Sequence, residues 1–473
     1  MKKYLLIISC SSLLGLFSGI AESADLLNVF NQAVVSDPEF QAAYATKMAN
    51  EEGVAISRSA LLTQISGSGY AQTNHVNITT TNNSLGLSQG TPVGNPIFNG
   101  FGIAGNSTYN THGYTLNAAQ PIFNFADWML LRQAQATAAE ANYTYGAELQ
   151  ALIIRVATAY FNVLLAQDTL TATVAQKQAN LESLQQIKAK FEVGLETMTD
   201  VDQAQASYDN LVAQEISANN NVTNAMQALK QITDQTYAQL APLKNNMPLI
   251  NPNPIDLSDW ITVAEQNNLT LLASRYSVQA QHEFVRANFA NNFPSLDAVG
   301  SYGHNVFPNS ITNAFPGRET ENLGTLGVQL TVPIISGGLT VAQTEQAEDN
   351  YVAASDQMEE THRLVVFNAN QAYNNVMANI SKIKADRLAI ISNNSALNSI
   401  NAGFQAGTKT LLDVLTAQQN LYQAETTHYQ DQYNYILSTL ELKQAAGSLT
   451  PKDLIEINGW LQDDHLLKVN NAG

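Results

Sequence analysis

One stretch of fifteen residues decides the fold because it occurs twice, first as Phe191-Glu-Val-Gly-Leu-Glu-Thr-Met-Thr-Asp-Val-Asp-Gln-Ala-Gln205 and then as Phe404-Gln-Ala-Gly-Thr-Lys-Thr-Leu-Leu-Asp-Val-Leu-Thr-Ala-Gln418. Seven of the fifteen positions are identical. Each copy interrupts a long helical pattern without proline, and its glycine stands where a helix end favours a left-handed residue. We interpret the chain as an internal duplication in which each half carries a hairpin of long helices.

Composition limits the class of protein. The 473 residues carry a net charge of −18, and only 13% of them are charged, which is about half the usual share in soluble proteins. Nucleic acid as a partner is disfavoured, because it requires clustered Lys and Arg. The profile is typical of a secreted or outer-membrane protein.

The N-terminus has the pattern of a secretory signal peptide. Two lysines precede an apolar run over 5–20, and residues 21–23 form a small-x-small cleavage site. Cleavage after residue 23 leaves no cysteine, since Cys10 is the only one. A lipidated Cys10 is the less favoured alternative. No later run matches the roughly 18–20 consecutive apolar residues of a membrane-spanning helix, so an exported membrane protein of this kind must be a β-barrel.

Strand and helix patterns alternate in the same order in both halves. Helical spacing is predicted over 26–60 (with a break at Ser36-Asp-Pro38), 127–233, 257–291 and 339–450. Strands are predicted over 65–76, 113–122, 296–306 and 323–334. Polar stretches at 77–112 and 307–322 indicate surface-exposed loops. The domain prediction is signal peptide 1–23, first repeat 24–240, proline-rich linker 241–256, second repeat 257–450 and C-terminal segment 451–473.

The helix after Gly194 has a seven-residue apolar rhythm, which is typical of coiled-coil packing. The seam runs Val201, Ala204, Tyr208, Leu211, Glu215, Ala218, Val222, Ala225, Leu229, Ile232, and only Glu215 interrupts it. Residues 127–192 would form a helix roughly 100 Å long. Each half therefore contributes a strand hairpin and a helix hairpin. Four strands cannot close a barrel, so copies of the chain must share one, and the strand count leaves two or three protomers open.

Together with the signal peptide and Ala159-Tyr-Phe-Asn-Val-Leu-Leu-Ala166, the repeated motif and the duplicated order resemble the TolC family of outer-membrane efflux channels, in particular its enterobacterial branch. The resemblance implies a mixed, mainly α fold: a homotrimer with a twelve-stranded β-barrel in the outer membrane of a Gram-negative bacterium and a twelve-helix α-barrel in the periplasm. It also implies an exit duct for multidrug efflux and type I protein secretion. Its partners would be a periplasmic adaptor, an inner-membrane RND or ABC transporter and outer-membrane lipid.

The two motif copies carry the residue types that end one helix and cap the next. Glycine is expected just past the first helix, threonine as the cap of the second, and aspartate in its first turn. The candidates are Gly194, Thr197, Thr199 and Asp200 in the first copy and Gly407, Thr408, Thr410 and Asp413 in the second. From the residues alone, a capping role and nothing more is the leading interpretation.

The family resemblance adds a gating role at these turns. It implies that Asp413 contributes to a ring of three carboxylates at the pore constriction, and that Lys409 reaches Asp200 in a clasp assisted by Phe404. The relatives have arginine and tyrosine at these positions, so this clasp is expected to be weaker. Thr416 stands where they have a second aspartate, which leaves a single acidic ring. The turns with Gly194, Thr197, Gly407 and Thr410 would dock the adaptor.

Catalytic and metal-binding signals are weak. Gly86-Leu-Ser-Gln-Gly90 and Gly100-Phe-Gly-Ile-Ala-Gly105 match enzyme motifs, but neither has the strand and helix context that such motifs require. The seven histidines show no helical ligand spacing. We expect no enzyme activity and no cofactor or metal. The alternative function is a periplasmic coiled-coil structural or adaptor protein without a pore, which would not explain the apolar alternation over 326–332.

Overall fold

The computed structural model describes residues 24–78, 105–244, 246–307 and 319–462. The predicted signal peptide, which includes Cys10, lies outside these ranges. So do the two enzyme-like motifs at 86–90 and 100–105, apart from Gly105. The helices are α1 (Leu26–Ser36), α2 (Pro38–Ser59), α3 (Phe125–Glu192), α4 (Met198–Thr233), α5 (Leu257–Asn267), α6 (Leu269–Ala290), α7 (Leu339–Gln405), α8 (Leu411–Ala445) and α9 (Pro451–Asn458). The strands are β1 (Gln64–Ile78), β2 (Gly105–Phe123), β3 (Ser295–Phe307) and β4 (Glu319–Thr331).

Side-chain caps set the ends of the shorter helices. Asp37 ends α1, and its carboxylate accepts the N–H of Phe40 at 3.4 Å at the start of α2, so the predicted break there is confirmed. The helical prediction over 257–291 is confirmed apart from an interruption at Asn268. The side chain of Asn268 separates α5 from α6 by accepting the N–H of Leu271 at 3.0 Å and donating to Ala445 O at 2.9 Å, as a helix-capping asparagine does.

The strands form one antiparallel sheet in the order β1-β2-β3-β4. Strands β1, β2 and β3 reach further at both ends than the residue pattern predicted, and Ile78 still pairs with Gly105 inside the expected loop. Strand β4 begins before its predicted start at 323 but ends at Thr331, so its predicted extension to 334 was wrong. Strand β2 passes its predicted end at 122, and its pairing with β3 continues through Pro121 to Phe123 across a register irregularity. Within the described residues of one chain, the outer edges of β1 and β4 have no strand partner. A neighbouring copy can complete both edges.

One face of β4 is apolar and uncovered. Leu326, Val328 and Leu330 are 91%, 66% and 63% exposed, which confirms the predicted alternation. Such a row costs free energy in water and is typical of the lipid-facing side of a membrane strand.

The chain divides into two compact units, each drawing on both predicted repeats. One contains the sheet with residues 51–136 and 279–353, and the other holds the remaining helical residues. The predicted repeat boundaries therefore stay a prediction. In the helical unit, the buried hydroxyl of Tyr160 donates to Ala241 O at 2.8 Å. Leu243 forms a bridge with Leu461, so the linker pairs with the C-terminal segment.

Buried positions along α4 match the predicted seam. Val201, Ala204, Leu211, Ala218 and Leu229 are all buried. Glu215 is the one charged residue in this apolar seam, and it is tolerated there because its carboxylate pairs with the ammonium of Lys177 on α3 at 2.5 Å.

Helix α3 is the one helix in the described ranges that is long and apolar enough to cross a membrane. More than half of its apolar window (56%) is buried within the protein, as in the core helix of a packed bundle.

We predict that Arg155→Met destabilises the helical unit by about 3 kcal/mol, because it leaves the buried carboxylate of Asp37 without its cationic partner. The Arg155 guanidinium lies 2.5 Å from Asp37, which is 5% exposed, and 3.0 Å from Glu148. The midpoint of urea denaturation in detergent measures the change. Arg363→Met is the matched control, since the exposed Arg363–Glu359 pair should contribute less than about 0.5 kcal/mol. Equal midpoints for the two variants would contradict the prediction.

Candidate functional site: the two helix-hairpin turns

The first turn joins α3 to α4 through Gly194. Its φ of +78° lies in the left-handed region, and the N–H of Leu195 bonds Lys190 O at 2.9 Å to close the helix end. Thr197 then caps α4. Its hydroxyl accepts the N–H of Asp200 at 3.3 Å, while the Asp200 carboxylate accepts the N–H of Thr197 at 3.1 Å. This reciprocal pair is a capping box.

The second turn repeats the first between α7 and α8. Gly407 has φ +75°, and the N–H of Thr408 bonds Gly403 O at 2.8 Å. The Thr410 hydroxyl accepts the N–H of Asp413 at 3.2 Å, and the Asp413 carboxylate accepts the N–H of Thr410 at 2.9 Å. Of the two possible caps in each copy, the structure selects Thr197 and Thr410. Their aspartates occupy equivalent places in both hairpins.

An apolar cluster lies behind the two turns. Its buried members come from the ends of α3, α4 and α8. Phe404 of α7 and Tyr208 of α4 are partly buried and pack against this cluster. Its buried members are Leu184, Ile187, Val201, Ala204, Leu411 and Leu415. Side chains of both hairpins thus share one core at this end.

A buried polar network lies deeper in the same hairpins. Asn180 is 2% exposed and donates to the side chain of Gln418 at 3.1 Å. Asn180 Oδ1 accepts the hydroxyl of Ser207 at 2.8 Å. These bonds join α3, α4 and α8, and leaving any of them unmade would cost desolvation free energy. The network therefore holds the turns in a fixed register.

Within one chain, no described contact joins the predicted clasp residues Asp200, Lys409 and Phe404 to one another. Among the described contacts, Lys409 forms no ion pair with Asp200, whose carboxylate is instead held by Thr197. The charge of Lys409 does act on Asp413, although the backbone N–H and then the hydroxyl of Thr410 are the larger causes that lower the pKa of that carboxyl. Phe404 lies beneath a different cation, the ammonium of Lys190, at 4.0 Å from the ring centroid.

Sequence reasoning missed Lys190 and Glu196, whose charged groups lie 3.4 Å apart. One signal was available. Glu196 and Lys409 occupy the same position of the repeated motif with opposite charges, and Lys190 corresponds to Gly403. The two copies therefore differ in charge at positions where their backbones agree.

Long duplicated helix hairpins, four strands with open edges and an exposed apolar strand face together define a channel-forming outer-membrane protein. The family comparison agrees: the model for "Outer membrane efflux protein" matches residues 29–235 and 260–448. The chain belongs to this family.

Individual relatives are similar over nearly the whole chain. Outer membrane protein TolC of Escherichia coli K12 is 35% identical, covering 98% of this chain and 90% of the relative. The TolC of Vibrio cholerae is 36% identical, covering 97% and 99%. The alkaline protease secretion protein AprF of Pseudomonas aeruginosa is 28% identical, covering 91% and 85%.

Solved structures show the same fold. CusC superposes with a TM-score of 0.73 at 16% identity, covering 90% of this chain and 92% of that one. The Campylobacter jejuni CmeC outer membrane channel gives 0.72 at 18% identity, covering 95% of each. The expected fold class is confirmed: the described residues of each chain contribute four strands to a twelve-stranded barrel and four long helices to a twelve-helix barrel.

The chain is thus an outer-membrane exit channel for efflux and type I secretion, and a periplasmic coiled-coil protein without a pore is not favoured. TolC-type channels are homotrimeric ducts that work with adaptor and pump partners. They are transporters rather than enzymes.

Proposed function

We propose that the trimer is the passive exit duct of a tripartite system, with an inner-membrane RND or ABC transporter and a periplasmic adaptor docking at the turns around Gly194 and Gly407. The observation that carries the proposal is the matched pair of capped turns, which presents the same backbone conformation twice per chain. A trimer would offer six such turns. AprF is named for alkaline protease secretion, and we propose exported proteins of this kind, together with drugs, as the cargo.

Site-directed cross-linking tests the docking proposal. Cysteines replacing Leu195 and Thr408, both exposed at the turns, should cross-link to the periplasmic adaptor in intact cells. Ile216→Cys is the control, since Ile216 is 68% exposed on α4 outside the turns. Cross-linking at position 216 alone would contradict docking at the turns.

We also propose that Asp413 contributes one of three carboxylates to a ring at the pore constriction, which makes the entrance cation-selective as charged rings do in channels. Support comes from its place in the first turn of α8, just after the turn at Gly407. In the same proposal Lys409 reaches Asp200 across helix pairs as a gate clasp. Lys409 is exposed and has no ion pair among the described contacts, so its ammonium is available for this role.

The pH dependence of selectivity follows from the direction of the pKa shift. The N–H and hydroxyl of Thr410 hold the pKa of Asp413 below its ordinary value, so the carboxylate stays charged as the pH falls to about 4. Cation selectivity and the stability of this cap should persist there and be lost only at lower pH. Thr410→Val removes one of these bonds and should move the loss of selectivity to higher pH.

Reversal potentials in bilayers at stepped pH measure this effect. Thr197→Val removes the equivalent hydroxyl from the first turn and serves as the control. A shift of the same size in both variants would contradict the assignment to Asp413.

A further inference from the structure

A cation from the first hairpin lies over an aromatic ring of the second. The ammonium of Lys190, near the end of α3, is 4.0 Å from the ring centroid of Phe404, near the end of α7. A cation within about 6 Å of a ring centroid is attracted by the negative face of the ring. Both residues lie in the last turn before the chain reverses, so the contact joins the ends of the two outgoing long helices.

The surroundings hold both partners in place. Glu196 lies 3.4 Å from the Lys190 ammonium, and their side chains are 21% and 32% exposed. Phe404 packs against the apolar cluster behind the turns. A partly desolvated cation is attracted more strongly by a ring than a fully exposed lysine is, and the Glu196 carboxylate restricts the positions that the Lys190 ammonium can take.

No acid in the turns duplicates this connection. The carboxylates of Asp200 and Asp413 are each bound to the threonine of their own helix cap. Those bonds stabilise single turns and do not join the hairpins. Phe404 has no hydroxyl, so the ring face is its means of attracting a charged partner.

We propose that Lys190 and Phe404, positioned by Glu196, form a lock within each protomer that holds the two helix hairpins together at the closed entrance. Opening the duct would separate this contact three times per trimer. This inference rests on the proposed exit-duct function and adds to the clasp of Lys409 and Asp200 a second, intrachain element.

Purified trimers of Lys190→Met, Phe404→Leu and the double variant test the lock. Each single variant should raise the open probability in planar bilayers at least about threefold, the ratio expected from a partly exposed cation–π contact. The double variant should add little to the larger single effect. Proteinase K cleavage within residues 193–197 is a second readout that needs no conduction, and its rate should rise similarly.

Conservative and matched variants separate the lock from simple loss of charge or packing. Lys190→Arg and Phe404→Trp keep a cation and a ring, and both should retain wild-type gating. Lys188→Met removes an equal charge from a lysine that bonds Gln205 at 3.1 Å, and it should change neither readout. Unheated gels verify that every variant forms the trimer.

Additive effects in the double variant, or a Lys190→Met response equal to that of Lys188→Met, would overturn the lock. A conducting wild-type trimer whose open probability and cleavage rate are unchanged by Lys190→Met would do the same and leave the duct intact. A wild-type trimer without conductance would instead contradict the duct, while protease coupling between positions 190 and 404 would still support the contact.

Discussion

Asp413→Asn is expected to lower the cation selectivity of the channel on the order of tenfold at moderate salt. In the proposed ring, three carboxylates beside the ion path attract cations and repel anions, and the substitution removes all three. Asparagine keeps an oxygen that can accept the N–H of Thr410, which Asp413 accepts at 2.9 Å, so the helix cap survives. The reversal potential across a KCl gradient measures the change.

Asp209→Asn is the control for this charge change. Asp209 is an exposed acid on α4 whose recorded bond is to Gln205 at 3.0 Å. Its loss should leave selectivity within about twofold of the wild type because exposed charges away from the ion path are screened by salt. If Asp413→Asn resembles this control, the ring assignment is wrong.

Gly447→Ala is expected to prevent or strongly weaken folding of the helical unit. Gly447 has φ +70°, and a Cβ there would lie 2.1 Å from Asn267 O and 2.8 Å from Asn268 Cα. The left-handed backbone costs about 1 kcal/mol for a residue with a Cβ, and forcing the backbone at α5 and α6 apart adds about 1–3 kcal/mol more. Trimer yield and denaturation midpoint should both fall.

Gly337→Ala isolates the backbone contribution. Gly337 has φ +62°, but a Cβ would meet no atom within 4 Å. This variant should lose only about 1 kcal/mol. If the two alanine variants are equally stable, close packing at Gly447 is not the cause.

Local features of the fold could be predicted from the sequence because they depend on neighbouring residues. The glycines at positions 194 and 407 and the aspartates at 200 and 413 follow general rules of helix capping, and the structure shows these turns. In each copy two threonines could have capped the second helix, and the sequence did not distinguish between them. Both candidates are the same residue type, so only the hydrogen-bond geometry identifies Thr197 and Thr410 as the caps.

Contacts between distant segments could not be predicted in the same way. The Lys190–Phe404 contact depends on the relative register of two helices, each more than sixty residues long, and a shift of one residue would separate them. Likewise, Glu215 interrupts a seam in the sequence, and only the position of Lys177 explains it. The trimer and the gate roles came from family resemblance. The roles of Asp413 and Lys409 stay predictions.

Single-channel recording from the detergent-purified protein in planar lipid bilayers shows whether the oligomer is a conducting duct. We expect discrete ion-conducting steps with a cation-selective reversal potential from an oligomer that dissociates on heating. A folded, detergent-extracted trimer that conducts no ions under any applied voltage would contradict it.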